Sequence, residues 1–373
     1  MAITVISPNT LCFAGNPILV TASTDKSLAS DESFLRIVCN ASFSASGHTL
    51  DMEYSQPIAN GGEAVFNIAD AAQSVINRIQ AEIDMNATSG NYWYDPITVV
   101  CSFSCKVVWI KDNVEQSPSG YQSPTFSINA IPGRFTDYEM LTLSSIELTS
   151  IVDKKPMTRK PDLGMVYKGE TVIVPMASTS SRSDTSRVYI GDKHVLTSYA
   201  SLSAYSLDYS YINVNIDAVG DISVDTEKMG TLSGHYRTNT NGVHFLRFIN
   251  GFGAVENISV RSKDKLSYEV SGETHSLVQG VTTRPTDRRY AVKSQPVGVY
   301  ELSSGYVPQK WAEWYVQELL TSPRVWIQLG GKWVPALIEA EDDCVIYDRS
   351  KPEMPHVDFT LRLAIDGVTG VAW

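Results

Sequence analysis

The stretch ITVVCSFSCKVVWIK, running from Ile97 to Lys111, decides how the rest of the chain is read. Ile97, Val99, Cys101, Phe103, Cys105, Val107 and Trp109 alternate with mainly smaller or more polar residues, a period of two that puts one apolar face on a strand. Working outward, Pro17–Ser23, Phe34–Phe43 and Thr49–Tyr54 carry the same signature. In the last of these, Leu50, Met52 and Tyr54 oppose Thr49, Asp51 and Glu53. The period then changes. Ile68, Ala72, Val75, Ile76, Ile79 and Ile83 fall at helical spacing, and Asp70 with Gln73 suggests a capping box. Tyr121–Asn129 supplies a closing strand, so residues 1–130 read as a β-sandwich with one helix.

A Pro-Gly pair at Pro132-Gly133 marks the first boundary, and residues 131–235 read as a β-rich middle domain. Its strands are expected at Glu170–Pro175 and Arg187–Gly191. Between them Ala177–Ser186, nearly all Ser, Thr, Arg and Asp, reads as a mobile surface loop open to trypsin at Arg182. Residues 236–373 form a C-terminal β domain with one amphipathic helix. Gly251 and Gly253 bracket a turn after the strand Gly242–Ile249. Pro308 opens the helix, Trp311, Trp314, Tyr315, Leu319 and Leu320 share its apolar face, and Pro323 ends it. Gly330-Gly331 joins two strands in a primed hairpin turn, and Val357–Leu363 alternates as a final strand. The fold class expected is therefore mainly β, several β-sandwiches with a few short helices.

Length and charge narrow the function classes. At 373 residues the chain is too long for one compact core. Its net charge of −11 is uneven: residues 1–150 hold 6 Lys and Arg against 15 Asp and Glu. That acidity argues against a nucleic-acid binder, which needs a basic face for phosphates. The small basic clusters, Lys154, Lys155, Arg159 and Lys160, then Arg284, Arg288 and Arg289, read as solvated loop charge. The N-terminus has no basic start followed by an apolar run, and no stretch of about 18 apolar residues exists. No secretion signal and no membrane insertion are expected.

The chain offers little catalytic chemistry. It contains no nucleophile elbow, zinc helix, P-loop or dinucleotide glycine pattern. His48, His194, His235, His244, His275 and His356 stand singly, with His235 and His244 conceivable as cross-strand neighbours. Cys101 and Cys105 share a strand face but lie roughly 13 Å apart, too far for one metal ion. Cys39 is in step with Leu35, Ile37, Ala41 and Phe43, so the cysteines read as free, buried small residues. Two carboxylate groups, Glu339, Glu341, Asp342, Asp343 with Asp348, and Asp217, Asp221 with Asp225, sit where hairpin turns place Asp. No enzyme activity, cofactor or metal is expected. Tyr205, Tyr209, Tyr211, Trp311 and Trp314 are the candidates for an interface or ligand platform, with core packing as the alternative role.

Three stretches add a resemblance. Ala14-Gly15-Asn16-Pro17-Ile18 precedes the first long strand, LTLSSIELTSIVDKKPM lies within Met140–Met157, and Leu246-Arg247-Phe248-Ile249-Asn250 leads into Gly251-Phe252-Gly253. Their order resembles tail-associated structural proteins of phages and prophages of gut Bacteroidetes. Those carry a Leu-Arg-Trp-Leu-Asn-like strand before a glycine-containing turn, where this chain has Phe248 and Ile249. The resemblance implies a virion subunit of a tail, baseplate or neck, with other virion proteins and copies of itself as partners. It transfers no catalytic residue. A carbohydrate- or receptor-binding module, acting on a surface glycan, is the alternative, and a glycoside hydrolase the third reading.

Overall fold

The computed structural model describes residues 3–87, 97–137, 139, 152–153, 155–226, 230–276, 289–340 and 354–364. The chain is mainly β, arranged in several sheets, with short helices at two places among the elements described below. The first nine strands are β1 (Ile3–Ile6), β2 (Leu11–Phe13), β3 (Leu19–Thr24), β4 (Glu32–Ala45), β5 (His48–Pro57), β6 (Glu63–Asn67), β7 (Val99–Lys111), β8 (Val114–Gln116) and β9 (Phe126–Ile131). They make a three-stranded sheet, β1-β3-β6, and a larger one, β2-β9-β7-β4-β5, with β8 paired to β7. The deciding stretch is thus the central strand of the larger sheet. Its Val99, Cys101, Phe103, Cys105, Val107 and Trp109 all enter one core with Ile37, Cys39, Ala41 and Phe43 of β4.

Helix α1 (Ala69–Ala81) sets Ile68, Ala72, Val75 and Ile76 into that same core. The expected capping box does not form, because Asp70 already lies inside the first turn. Asn67 acts instead: its Oδ1 accepts from Ala69 N at 3.2 Å and from Ile18 N at 3.0 Å, holding the helix start to the strand entry. The dry face expected on β5 is only half-buried, with Met52 40% exposed, since β5 is the edge of its sheet.

Seven strands follow: β10 (Gly164–Tyr167), β11 (Thr171–Ser178), β12 (Arg182–Ile190), β13 (Lys193–Leu202), β14 (Ser206–Asn213), β15 (Gly220–Thr226) and β16 (Gly230–Arg237). They form the sheet β10-β16-β15-β12-β13 and the pair β11-β14. Here the mobile loop expected over Ala177–Ser186 is overturned. Ala177 and Ser178 end β11, β12 begins at Arg182, and Ala177, Ser178, Asp184 and Ser186 are buried. Polarity misled because the hydroxyls find partners between the sheets. The Ser186 and Ser210 hydroxyls meet at 3.1 Å, Ser178 donates to Ser180 O at 2.6 Å, and Thr179 donates to Asp153 at 2.6 Å. The Arg182 guanidinium donates to Asp153 O at 2.9 Å. Satisfied in this way, serines are as acceptable inside as small apolar residues.

The last six strands, β17 (Val243–Ile249), β18 (Val255–Ser276), β19 (Arg289–Ser303), β20 (Val325–Leu329), β21 (Lys332–Ala340) and β22 (Asp358–Leu363), close a barrel in the order β17-β18-β19-β22-β21-β20. Gly330 and Gly331, at φ 55° and 78°, make the primed turn between β20 and β21. Helix α2 (Gln309–Trp314) continues as a π-helical turn over Tyr315–Leu319. Trp311, Trp314, Tyr315 and Leu319 pack with Leu246, Phe248, Leu302 and Leu361 in the barrel core. No helix among the described residues is long and apolar enough to cross a membrane.

Candidate functional site

Two features stand out once the fold is known: a charged junction where the three β units meet, and a two-stranded ribbon that leaves the barrel. The junction has its own apolar cluster, with Phe13, Ile131 and Phe135 from the N-terminal side, Met157, Ile173, Leu207 and Tyr209 from the middle, and Ile249, Phe252, Val255 and Trp326 from the barrel. Phe13, Phe135 and Phe252 form a ring triad, with centroids 4.8 to 6.1 Å apart.

Polar groups fix the geometry around this cluster. Asn16 grips Phe135 with both ends of its amide, at 3.0 and 2.8 Å. Asn250 Oδ1 accepts from Phe252 N and Ala254 N, each at 2.9 Å, shaping the turn expected at Gly251–Gly253. Its Nδ2 donates to Met157 O and Glu256 Oε1, each at 2.8 Å. The first and last of the stretches that carry the resemblance therefore meet here, together with Met157, the end of the second. Most of Met140–Met157 lies outside the described residues.

The basic cluster taken for solvated charge is corrected at two positions. Arg159 Nη1 donates to Glu318 at 2.8 Å, Nη2 donates to Glu139 and to Arg134 O at 2.9 Å each, and the guanidinium stacks 4.1 Å from the Phe252 ring. Lys160 Nζ donates to Asn257 O at 3.1 Å, beside the Trp311 and Trp314 rings. Two further carboxylates complete the group. Glu170 accepts from Tyr167 N at 3.0 Å, from Ser259 Oγ at 2.7 Å and from Asn257 Nδ2. Burial raises its pKa and pushes that of Glu256 up to about 7, while it lowers that of Lys160. One half-buried cation thus faces two buried carboxyls, and desolvation favours the neutral form of each.

That imbalance sets a pH dependence. Between about pH 4.5 and 7 the folded chain holds a proton on Glu256 that the unfolded chain releases, so stability falls as pH rises through this window. Glu170 acts with the same sign, whereas Lys160 acts with the opposite sign at alkaline pH. Glu256→Gln keeps an oxygen for Asn250 and removes the titration. Relative to the parent it should gain on the order of 3 kcal/mol between pH 5 and pH 8. Urea unfolding of both proteins at each pH measures this, and parallel stability curves would refute the assignment.

The ribbon is a matter of backbone pairing. Strand β18 pairs with β17 only as far as Arg261, and β19 pairs with β22 only over Val299–Ser303. Beyond these limits, among the described residues, β18 and β19 pair only with each other, out to Ser276 and Arg289. The two-stranded part runs over Tyr268–Ser276 and Arg289–Gly298, and some nine residues at about 3.3 Å give it a reach of roughly 30 Å. An isolated two-stranded ribbon is marginal in water.

The aromatic platform considered for Tyr205, Tyr209, Tyr211, Trp311 and Trp314 is not formed. Trp311 and Trp314 are core residues, Tyr209 is buried with its hydroxyl accepting from Val255 N at 3.3 Å, and Tyr211 packs beside it. Tyr205 occupies a half-buried turn position with φ 58°. Their apolar surface is needed where the sheets and the helix meet.

The histidines and acids do not converge either. His235 pairs with Asp221 at 2.7 Å on the exposed face, while His244 packs against Tyr300, so the two histidines are not neighbours. Asp217 pairs with Lys168 and Asp225 accepts from Thr231. Glu339 pairs with Arg362 at 3.0 Å; Glu341, Asp342, Asp343 and Asp348 lie outside the described residues. Among the described residues no three His, Cys, Asp or Glu side chains are placed to hold a metal ion. A polar cleft of about 770 Å³ opens beside the junction, with Gln73, Asn77, Arg134, Thr136, Gln317 and Arg324 in its walls.

No protein-family model matches the chain, and no curated protein matches it. Among solved structures it aligns with trypsin-activated alpha-2-macroglobulin from Escherichia coli at 8% identity and a TM-score of 0.22, over 96% of this chain and 21% of that one. The native conformation of E. coli alpha-2-macroglobulin aligns at the same identity and score, over 96% of this chain and 22% of that one. The chain spans about a fifth of the length of the proteins it matches. A likeness at that score carries no argument about fold or function.

Proposed function

We propose that the chain is a structural subunit of a phage tail, baseplate or neck, acting through contacts with copies of itself and with other virion proteins. The observation that carries this reading is the ribbon of β18 and β19. A pair of strands extending roughly 30 Å from a closed barrel, with no third strand beside it among the described residues, is an arm suited to pairing with a neighbour. The junction supports the same reading, since an arm transmits force or register only from a rigid body. The sequence resemblance supplies the particular assembly, and the virion is the location it implies.

A variant with residues 268–298 replaced by Asn-Gly keeps the Ser267–Val299 pair and closes the barrel with a short turn. The parent chain should self-associate as concentration rises in light scattering, and the variant should remain monomeric with an unchanged unfolding temperature. A monomeric parent at millimolar concentration, together with virions lacking the protein, would sink the proposal. The polar cleft, walled by amides and arginine rather than aromatic rings, is the one observation favouring receptor or glycan binding as a second reading.

A further inference from the structure

We propose that Cys39 and Cys105 are an oxidation site, closing a disulfide across the two central strands of the N-terminal sandwich. Cys39 of β4 and Cys105 of β7 are direct register partners in an antiparallel ladder. Both side chains lie in the same core, 0% and 1% exposed. Directly opposed residues in such a ladder hold their Cβ atoms about 4.5–5.5 Å apart, and a disulfide needs about 3.5–4.5 Å. A small adjustment of strand twist therefore closes the bond without breaking the ladder. The other described cysteines are placed differently. Cys101 stands opposite Phe43 on one side and Ile128 on the other, and Cys12 stands opposite Ala130.

The pair is also chemically unequal. The neighbouring Cys105 thiol lowers the Cys39 pKa, while the Cys39 thiol and then burial raise that of Cys105. Burial pushes Cys101 up to about 12 and Cys12 up to about 11. Cys39 is thus the attacking sulfur and Cys105 the resolving one.

The oxidant that fits a packed core is a small one, hydrogen peroxide. The Cys39 sulfur attacks one peroxide oxygen, an S–O bond forms as the O–O bond breaks, and the leaving hydroxide takes the thiol proton to become water. The Cys105 sulfur then attacks the sulfenic sulfur, an S–S bond forms as the S–O bond breaks, and a second water leaves with the Cys105 proton. Two thiols and one peroxide become one disulfide and two waters. In a reducing cytosol the pair stays as thiols, and in an oxidising medium it becomes a covalent tie between the central strands.

The test uses the full chain. After peroxide treatment under native conditions its mass should fall by about 2 Da. Digestion with trypsin and chymotrypsin without reductant should yield the Cys39 peptide joined to the Cys105 peptide, because cleavage after Phe103 separates Cys101 from Cys105. The unfolding temperature should rise by on the order of 5 °C. Cys105→Ser should instead accumulate a dimedone-reactive sulfenic acid on Cys39, roughly 16 Da heavier before trapping. Refolding from urea in a glutathione redox buffer should form the same link, which removes access to the core as an explanation for failure. A link from Cys105 to Cys101 or Cys12, or free thiols after both treatments, would overturn the proposal.

Discussion

Gly133→Ala should separate the barrel from the N-terminal sandwich and split one unfolding transition into two. Gly133 has φ +90°, and a methyl group there would stand 2.0 Å from the carbonyl carbon of Phe252 and 2.2 Å from its Cα and O. These are backbone atoms of a turn already held by Asn250, so no side-chain rotation relieves the overlap. Two main-chain segments cross at this point, Pro132–Arg134 over Gly251–Gly253. Arg134 N donates to Gly251 O at 2.9 Å, and Gly15 N donates to Gly133 O at 2.9 Å. The crossing is tight from the other side as well, since a Cβ on Gly253 would meet Pro132 Cβ at 2.2 Å.

Overpacking and left-handed strain together should cost roughly 4 kcal/mol or more, most of it at the junction. Gly47→Ala provides the control. Gly47 has φ +82° in the β4–β5 turn but open space around its Cβ position, so that variant should lose only about 1 kcal/mol from conformation. Scanning calorimetry distinguishes the outcomes. If Gly133→Ala melts like Gly47→Ala, the main-chain crossing does not hold the units together.

The parts of this architecture that were legible in the sequence are those where one physical cause dominates. Alternation in Val99–Lys111 and Asp358–Leu363 marked strands because each buries one face on a single core. The helical spacing from Ile68 to Ile76 survived the failure of its expected cap, because burial rather than capping fixes α1. Gly330-Gly331 was readable since a primed turn demands positive φ at both positions. Where two causes compete, reading along the chain failed. Ser178 and Ser186 look solvated, yet the folded chain puts Ser180 O and the Ser210 hydroxyl within reach of them.

The junction shows the same limit. Arg159 and Lys160 stand in a run that looks like loop charge, and their partners Glu318 and Asn257 are far along the chain. Nothing local marks Asn16 as the clamp on Phe135 or Glu256 as buried. The one available signal was the pairing of Pro132-Gly133 with Gly251-Phe252-Gly253, two glycine turns that the fold presses together. The ribbon was hidden for a different reason. Long strands with an ordinary alternating sequence do not reveal that their pairing partners end at Arg261 and Val299.

Removing the cation from the Arg159–Glu318 pair should cost about 3–5 kcal/mol, because it strands a buried carboxylate. In the folded chain the Glu318 side chain is 3% exposed, and its two oxygens accept from Arg159 Nη1 and from Gly251 N. Arg159 also holds Glu139 at 2.9 Å and covers the Phe252 ring, so one guanidinium ties the segment before the middle sheet to the barrel and to the main-chain crossing. In Arg159→Leu the apolar cover of Phe252 is largely kept, but Glu318 retains only the Gly251 amide and loses its counter-charge. Glu318→Leu should cost a similar amount, leaving Arg159 with Glu139 and Arg134 O and the Gly251 amide without its acceptor.

The double variant should be less destabilised than the sum of the two, with a coupling of roughly 2–3 kcal/mol, because two neutral apolar residues remove the stranded charge. Screening by salt offers an independent check. A half-molar salt addition should weaken the exposed Lys111–Asp31 pair, 44% and 53% exposed, far more than the enclosed Arg159–Glu318 pair. Chemical unfolding of the parent, both single variants and the double variant closes the cycle. Strict additivity across it would mean that Arg159 stabilises the junction by covering Phe252 alone, with no contribution from its charge.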